Sequence, residues 1–333
     1  MLRNTLDAYR SYSQQPNQLL ETFKDEYLKQ VGANWMSFEA QQSFLALVIQ
    51  DYKAIQFPVP STYTTKCLKY YIELIEKCKD GANEDGINDE LIEEYTRRVH
   101  EQVSDGLETS HRIFAFKFDG QNDYSEIVIR VKQRFVNVGL SMWESGYLLG
   151  EFILSNPDLF HNKTCIELGS GIGLSGICLL HKNNPKPARK VYLTDYQDVV
   201  LSNCNENLKI NDIDTMLILE GQDAIEDGKS AVIKHLDWKE NNVSEFNADV
   251  LIAADVAYDI DVIEGLVNAY YAIAKRLKTT FEYFQKECEE DGITITDITE
   301  QFRMAEVFPY QDKRSTKFGD VRLYSIGLST INE

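Results

Sequence analysis

The stretch Cys165-Ile166-Glu167-Leu168-Gly169-Ser170-Gly171-Ile172-Gly173-Leu174-Ser175-Gly176 holds the densest chemistry in the sequence. A short apolar run leads into glycines, and the glycines lead into a helical pattern. Glycine lets the backbone turn sharply and lets a ligand approach with no Cβ in the way. The start of the following helix leaves N–H groups free. In open α/β sheets, ligands sit outside the carboxyl ends of the strands. A plain structural turn is disfavoured by glycines at alternate positions between strand and helix. Which nucleotide-type ligand such a loop holds has two answers. Gly171, Gly173 and Gly176 satisfy the dinucleotide pattern, and Asp195 follows about 20 residues on, where a ribose-binding acid belongs. A nicotinamide-dependent oxidoreductase is therefore a competitor. Against it stands Glu167, a carboxylate at the end of the strand that would repel a pyrophosphate. The same carboxylate suits a cationic ligand with an amino group and a sulfonium.

At this point the sequence resembles the seven-strand class of S-adenosylmethionine-dependent methyltransferases. Glu167, Gly169, Gly171 and Gly173 match its acid-x-Gly-x-Gly-x-Gly loop, and Ser170 lies inside it. Asp195 occupies the place of the acid that holds the ribose hydroxyls in that class; alone it also reads as a helix cap. Three more pieces narrow the resemblance. Gly139-Leu140-Ser141-Met142-Trp143-Glu144 opens the domain, Leu236-Asp237-Trp238 ends the third strand, and Ala254-Asp255-Val256-Ala257-Tyr258 ends the fourth. Together they resemble the protein-lysine methyltransferases marked by Asp-x-x-Tyr. That resemblance implies that Trp143, Trp238 and Ala254 contact the cofactor, although each tryptophan alone is more often core. It also implies that Asp255 and Tyr258 position a lysine amine. Phe57-Pro58-Val59-Pro60-Ser61 and Tyr70-Tyr71-Ile72-Glu73-Leu74-Ile75 resemble the amino-terminal extension of the enzymes that methylate translation elongation factor 2. The implied partner is that factor, and the implied location is the cytoplasm. A catalytically inactive cofactor-binding protein is the remaining alternative.

These residues need a scaffold. The spacing predicts helices over 17–31, 37–53, 61–78 and 89–103. Strands are predicted over 113–116 and 127–131. A boundary near residue 110 separates a helical region, 1–110, which the resemblance implies binds the substrate or partner, from an S-adenosylmethionine-binding methyltransferase domain, 111–333. From Trp143 onward, helices and short strands alternate as in a parallel sheet with crossovers. The strands fall at 164–168, 191–194, 232–236 and 249–254, with late strands at 293–298 and 321–328. The fold class is thus α/β, a Rossmann-like seven-strand methyltransferase sheet with a helical N-terminal region. One departure stands out. A fifth strand belongs after the helix ending near Ala274, yet residues 272–284 pass from one helical pattern straight into the next. A long or kinked helix is one reading, and a missing segment is the other. The strand at 321–328 is a candidate to pair in its place.

The chain has 333 residues, a formal net charge of −19 and 43% apolar residues. Such acidity weighs against a nucleic-acid partner, which usually calls for a basic footprint. No apolar run reaches the length of a membrane span. The six cysteines are scattered without paired spacing, which points to a reducing compartment. No metal site is expected, and the chain is read as a monomer.

Overall fold

The computed structural model describes residues 2–78, 85–101, 109–118, 121–132, 138–222, 228–238, 246–256, 265–266, 269, 293–297 and 324–328. The chain divides into two compact units. The first runs through Phe116 and resumes at Glu126, so it takes in two strands beyond the boundary read near residue 110. Its helices are α1 (Arg3–Ser11), α2 (Pro16–Val31), α3 (Phe38–Phe44), α4 (Tyr52–Gln56), α5 (Ser61–Lys77) and α6 (Asp89–Glu101). Its strands β1 (Thr109–Phe116) and β2 (Ser125–Lys132) form a two-stranded sheet.

Local chemistry explains the helix ends. Proline opens α2, Gln15 and Gln18 close a reciprocal capping box, and Gly32 ends the helix at φ 70°. The helix expected over 37–53 is divided. After α3 the chain makes a π-turn over Leu45–Ile49 and breaks at Asp51. The reason is that Asp51 has two partners a continuous helix would deny it. Its carboxylate accepts from the Ala54 amide at 2.9 Å, capping α4, and from Arg10 Nη2 at 2.6 Å. Helix α1 lacked the apolar stripe that would have revealed it, because its buried face includes Thr5, Asp7, Arg10 and Ser11. The core beneath these helices is aromatic. Phe23, Phe44 and Tyr71 are buried, with ring centroids 5.0 Å apart for Phe23–Phe44 and 5.2 Å for Phe44–Tyr71.

The second unit holds α7 (Glu144–Ser155), β3 (Thr164–Leu168), α8 (Leu174–Leu180), β4 (Lys190–Asp195), α9 (Asp198–Ile210), β5 (Thr215–Ile218), β6 (Ala231–His235) and β7 (Val250–Ala253). These strands form one parallel sheet in the order β5-β6-β4-β3-β7. Strand β3 is central and buried at all five positions, as expected when helices cover both faces. It pairs with β4 on one side and β7 on the other, Leu168 facing Thr194 and Ala253. The chain order reverses there, which opens a crevice at the carboxyl end of β3.

The described parallel sheet has five strands. The late strands β8 (Ile293–Asp297) and β9 (Tyr324–Leu328) form an antiparallel pair of their own, Ile293 facing Leu328. The described part of the strand expected at 321–328, Tyr324–Leu328, therefore pairs with β8 and not beside β7 in the parallel sheet. The stretch 272–284, read as a long helix or a lost strand, lies outside the described residues. Strand β5 was not anticipated, being only four residues long with no alternation. Among the described residues no helix is long and apolar enough to cross a membrane.

Candidate active site

The glycine loop leaves β3 at the sheet's crevice and enters α8. Gly169, Gly171 and Gly173 have φ of 68°, 50° and 83°, backbone that side chains rarely adopt. Space adds a second constraint at two of them. A Cβ on Gly169 would lie 2.7 Å from Val256 Cγ1, and one on Gly173 would lie 2.6 Å from Cys204 Sγ. Gly171 differs. Its Cβ would meet only the Gly139 carbonyl, at 3.4 Å, so its outer side is open. The loop is tied to the next strand by the Ser170 amide, which donates to the Thr194 carbonyl at 2.8 Å. Asn207 of α9 donates to the Ile172 carbonyl at 2.9 Å.

Two acids flank the loop. Asp195, the last residue of β4, accepts from the Gly171 amide at 3.3 Å and the Gln197 amide at 3.2 Å. Burial still raises its pKa, against those backbone donors and the charge of His235. Glu167, 4% exposed, accepts from the Ser175 hydroxyl. Burial lifts its pKa to about 8, the Ser175 hydrogen bond opposes that rise, and the charge of Asp195 adds to it. Among the described residues Glu167 has no ion pair.

The other expected site residues sit around this rim. Trp238 packs partly buried on the apolar cluster under β3, with its Cζ2 3.7 Å from where a Gly169 Cβ would be. Its indole N–H is sealed from solvent and has no hydrogen-bond partner among the described residues. Trp143 occupies the position before the first turn of α7, is 42% exposed and donates its indole N–H to the Val138 carbonyl at 3.0 Å. The Gly139 contact brings that segment against Gly171. Ala254 and Asp255 follow β7 directly, next to the end of β3. Asp255 is exposed and takes φ 57°, unusual for a residue with a side chain. Tyr258 lies outside the described residues.

The structure also brings in residues that sequence reasoning passed over. Ser175, Val256 and Asn207 each touch the loop or its acid, but single residues of these types carry no motif. Asn203 of α9 is buried, and neither amide atom has a partner among the described residues.

The arrangement fits a nucleoside with a cationic arm. It offers an acid beside backbone amides for hydroxyls, an open glycine for close approach and a second acid that lacks a cation. It also leaves a buried indole N–H to be satisfied.

Comparisons with known proteins agree. Residues 121–301 match the lysine methyltransferase family. An uncharacterised protein of Dictyostelium discoideum is 30% identical over 78% of this chain and 80% of its own. The protein-lysine N-methyltransferase EEF2KMT of Homo sapiens is 27% identical over 88% of this chain and 93% of its own. The solved structure of M. jannaschii TYW2 in complex with AdoMet covers 54% of this chain and 77% of that one. Its identity is 15% and its TM-score 0.31, a likeness too loose to bear on the site.

Proposed function

The chain belongs to the lysine methyltransferase family, and from that premise we propose that it methylates a lysine of translation elongation factor 2 in the cytoplasm, acting as a monomer. The methyl donor is S-adenosylmethionine. The observation that carries the site assignment is the acid–glycine–acid constellation at the sheet's switch point, Glu167, Gly171 and Asp195. The choice of substrate is supported by similarity to the human enzyme along nearly the whole chain, the helical region included.

When bound, S-adenosylmethionine supplies a methyl group on a positive sulfur. The chain's residues then have three tasks. Asp195 holds the ribose hydroxyls, with the loop amides beside it. Glu167 faces the cationic end of the donor. Trp143, Trp238 and Ala254 line the site with Gly169, Ser170, Gly171 and Gly173. The nucleophile must be a neutral amine, and a free lysine near pKa 10.4 must first lose its proton. Asp255, held at the end of β7 beside the loop, orients that amine together with Tyr258, largely a proximity effect.

Asp255→Ala is expected to abolish methyl transfer to elongation factor 2 while cofactor affinity, read by calorimetry, stays within about twofold. A variant that methylates at the wild-type rate overturns the role of Asp255. Transfer of label to another lysate protein, with none to purified elongation factor 2, overturns the substrate.

A further inference from the structure

We propose that seating the methyl donor drives one proton off the Glu167–Asp195 carboxylate pair, so that the site takes a cation in exchange for a proton. The inference rests on reading the glycine loop as the donor site.

The geometry sets the exchange. Glu167 is the penultimate residue of β3 and Asp195 the last of the adjacent parallel strand β4, and both are buried, at 4% and 8% exposure. Asp195 is provided for as an anion, by the Gly171 and Gln197 amides and the nearby His235. Glu167 has the Ser175 hydroxyl, a group that donates to a carboxylate and accepts from a carboxylic acid equally well. Among the described residues nothing else that faces Glu167 offers a positive charge. Cys178 on α8 and Cys204 on α9 feel its field and are themselves held as thiols, chiefly by burial. The charge that acts on Glu167 is that of Asp195, which has the same sign. Two buried carboxylates that repel each other do not both ionise, so the free site keeps a proton on Glu167.

An incoming S-adenosylmethionine carries a sulfonium and an ammonium. Its positive charge replaces the proton: Glu167 carboxylic acid plus donor gives Glu167 carboxylate with the donor bound and one proton passed to buffer. No electrons move and no other bond breaks.

Calorimetry of the full chain with S-adenosylmethionine between pH 6.0 and 7.0 tests this, because the donor's own amine stays mostly protonated there. Titrations in buffers of different ionisation enthalpy should show release of about one proton, and affinity should rise about tenfold per pH unit. Glu167→Gln should lose both effects. Ser175→Ala should keep the release and move the rise to higher pH, since it removes the one donor that favours the anion. Uncharged 5′-methylthioadenosine should bind with no such dependence. Binding of S-adenosylmethionine with buffer-independent heat overturns the proposal, as does proton release that survives in Glu167→Gln. A wild-type chain that binds no S-adenosylmethionine at any pH overturns the donor-site reading beneath it.

Discussion

Acids are buried in both units of this protein, and their surroundings differ. In the helical unit Arg10 meets Asp51 at 2.6 Å and Glu126 at 2.8 Å, and Lys53 joins Glu126. Glu94 is held by Arg97 at 2.6 Å and Arg98 at 2.8 Å. Burial would raise the pKa of Glu126 and Glu94, yet these cations bring both below the ordinary carboxylate value. In the sheet unit Glu167 and Asp195 are raised, and Glu167 has no ion pair among the described residues. Charges satisfied within the fold belong to its architecture. Charges left unsatisfied are kept for a ligand. Asp7 of the helical unit is also lifted by burial, to about 6, yet Arg3 pairs with it at 2.6 Å. What sets Glu167 apart is a raised pKa with no cation among the described residues beside it.

The largest expected effect tests the architectural half. Arg10 is 5% exposed and neutralises two partly buried acids. Arg10→Met should leave Asp51 without a cation among the described residues and Glu126 with Lys53 and Arg3 alone, and destabilise the helical unit by about 3 kcal/mol in urea unfolding. Cofactor affinity should not move. A loss under about 1 kcal/mol would mean that Asp51 and Glu126 find water, and the contrast between the units would weaken.

The second effect tests the other half and has the opposite sign. The folded-state pKa of Glu167, about 8, lies above its ordinary 4.5. The folded chain therefore binds this proton more tightly than the unfolded chain, and stability falls as pH rises from about 4.5 to about 8. Glu167→Gln mimics the protonated form and should escape that fall. At pH 7 the variant should exceed the wild type by on the order of 3 kcal/mol, with no gain at pH 4. Equal melting curves at pH 7 would show that Glu167 is already ionised and paired.

What was legible in the sequence follows from the range of each cause. The glycine loop and its two acids were legible because backbone turns and strand ends are local. The parallel sheet was legible because strands and crossover helices alternate along the chain. Helix α1 was not, since its buried face is polar and is satisfied by residues far along the chain. The break at Asp51 was not, because the pull of Arg10 comes from 41 residues away. Ser175 and Asn207 became visible only when strand order and helix phase brought them to the loop. The segments that resembled a substrate-binding extension also changed meaning. Val59, Tyr71 and Ile75 are buried in the helical core, so part of that resemblance is one of packing.

The smallest effect concerns an acid in the helical unit that is matched without a cation. Glu26 of α2 accepts from the Asn4 amide at 3.1 Å, the Thr5 amide at 3.0 Å and the Thr5 hydroxyl at 2.8 Å. Helix α1 begins with no side-chain cap of its own, so a neighbouring helix supplies one. The carboxylate satisfies two orphan donors and meets the positive end of the α1 dipole. Glu26→Ala should cost about 1 kcal/mol and fray α1 first, with faster amide exchange at Asn4 and Thr5. Glu26→Gln keeps an acceptor oxygen but loses the charge, and should recover roughly half. If Gln matched Ala, the charge on the dipole would outweigh the hydrogen bonds. Glu26 would then join the charge-compensated acids, with a helix end standing in for arginine.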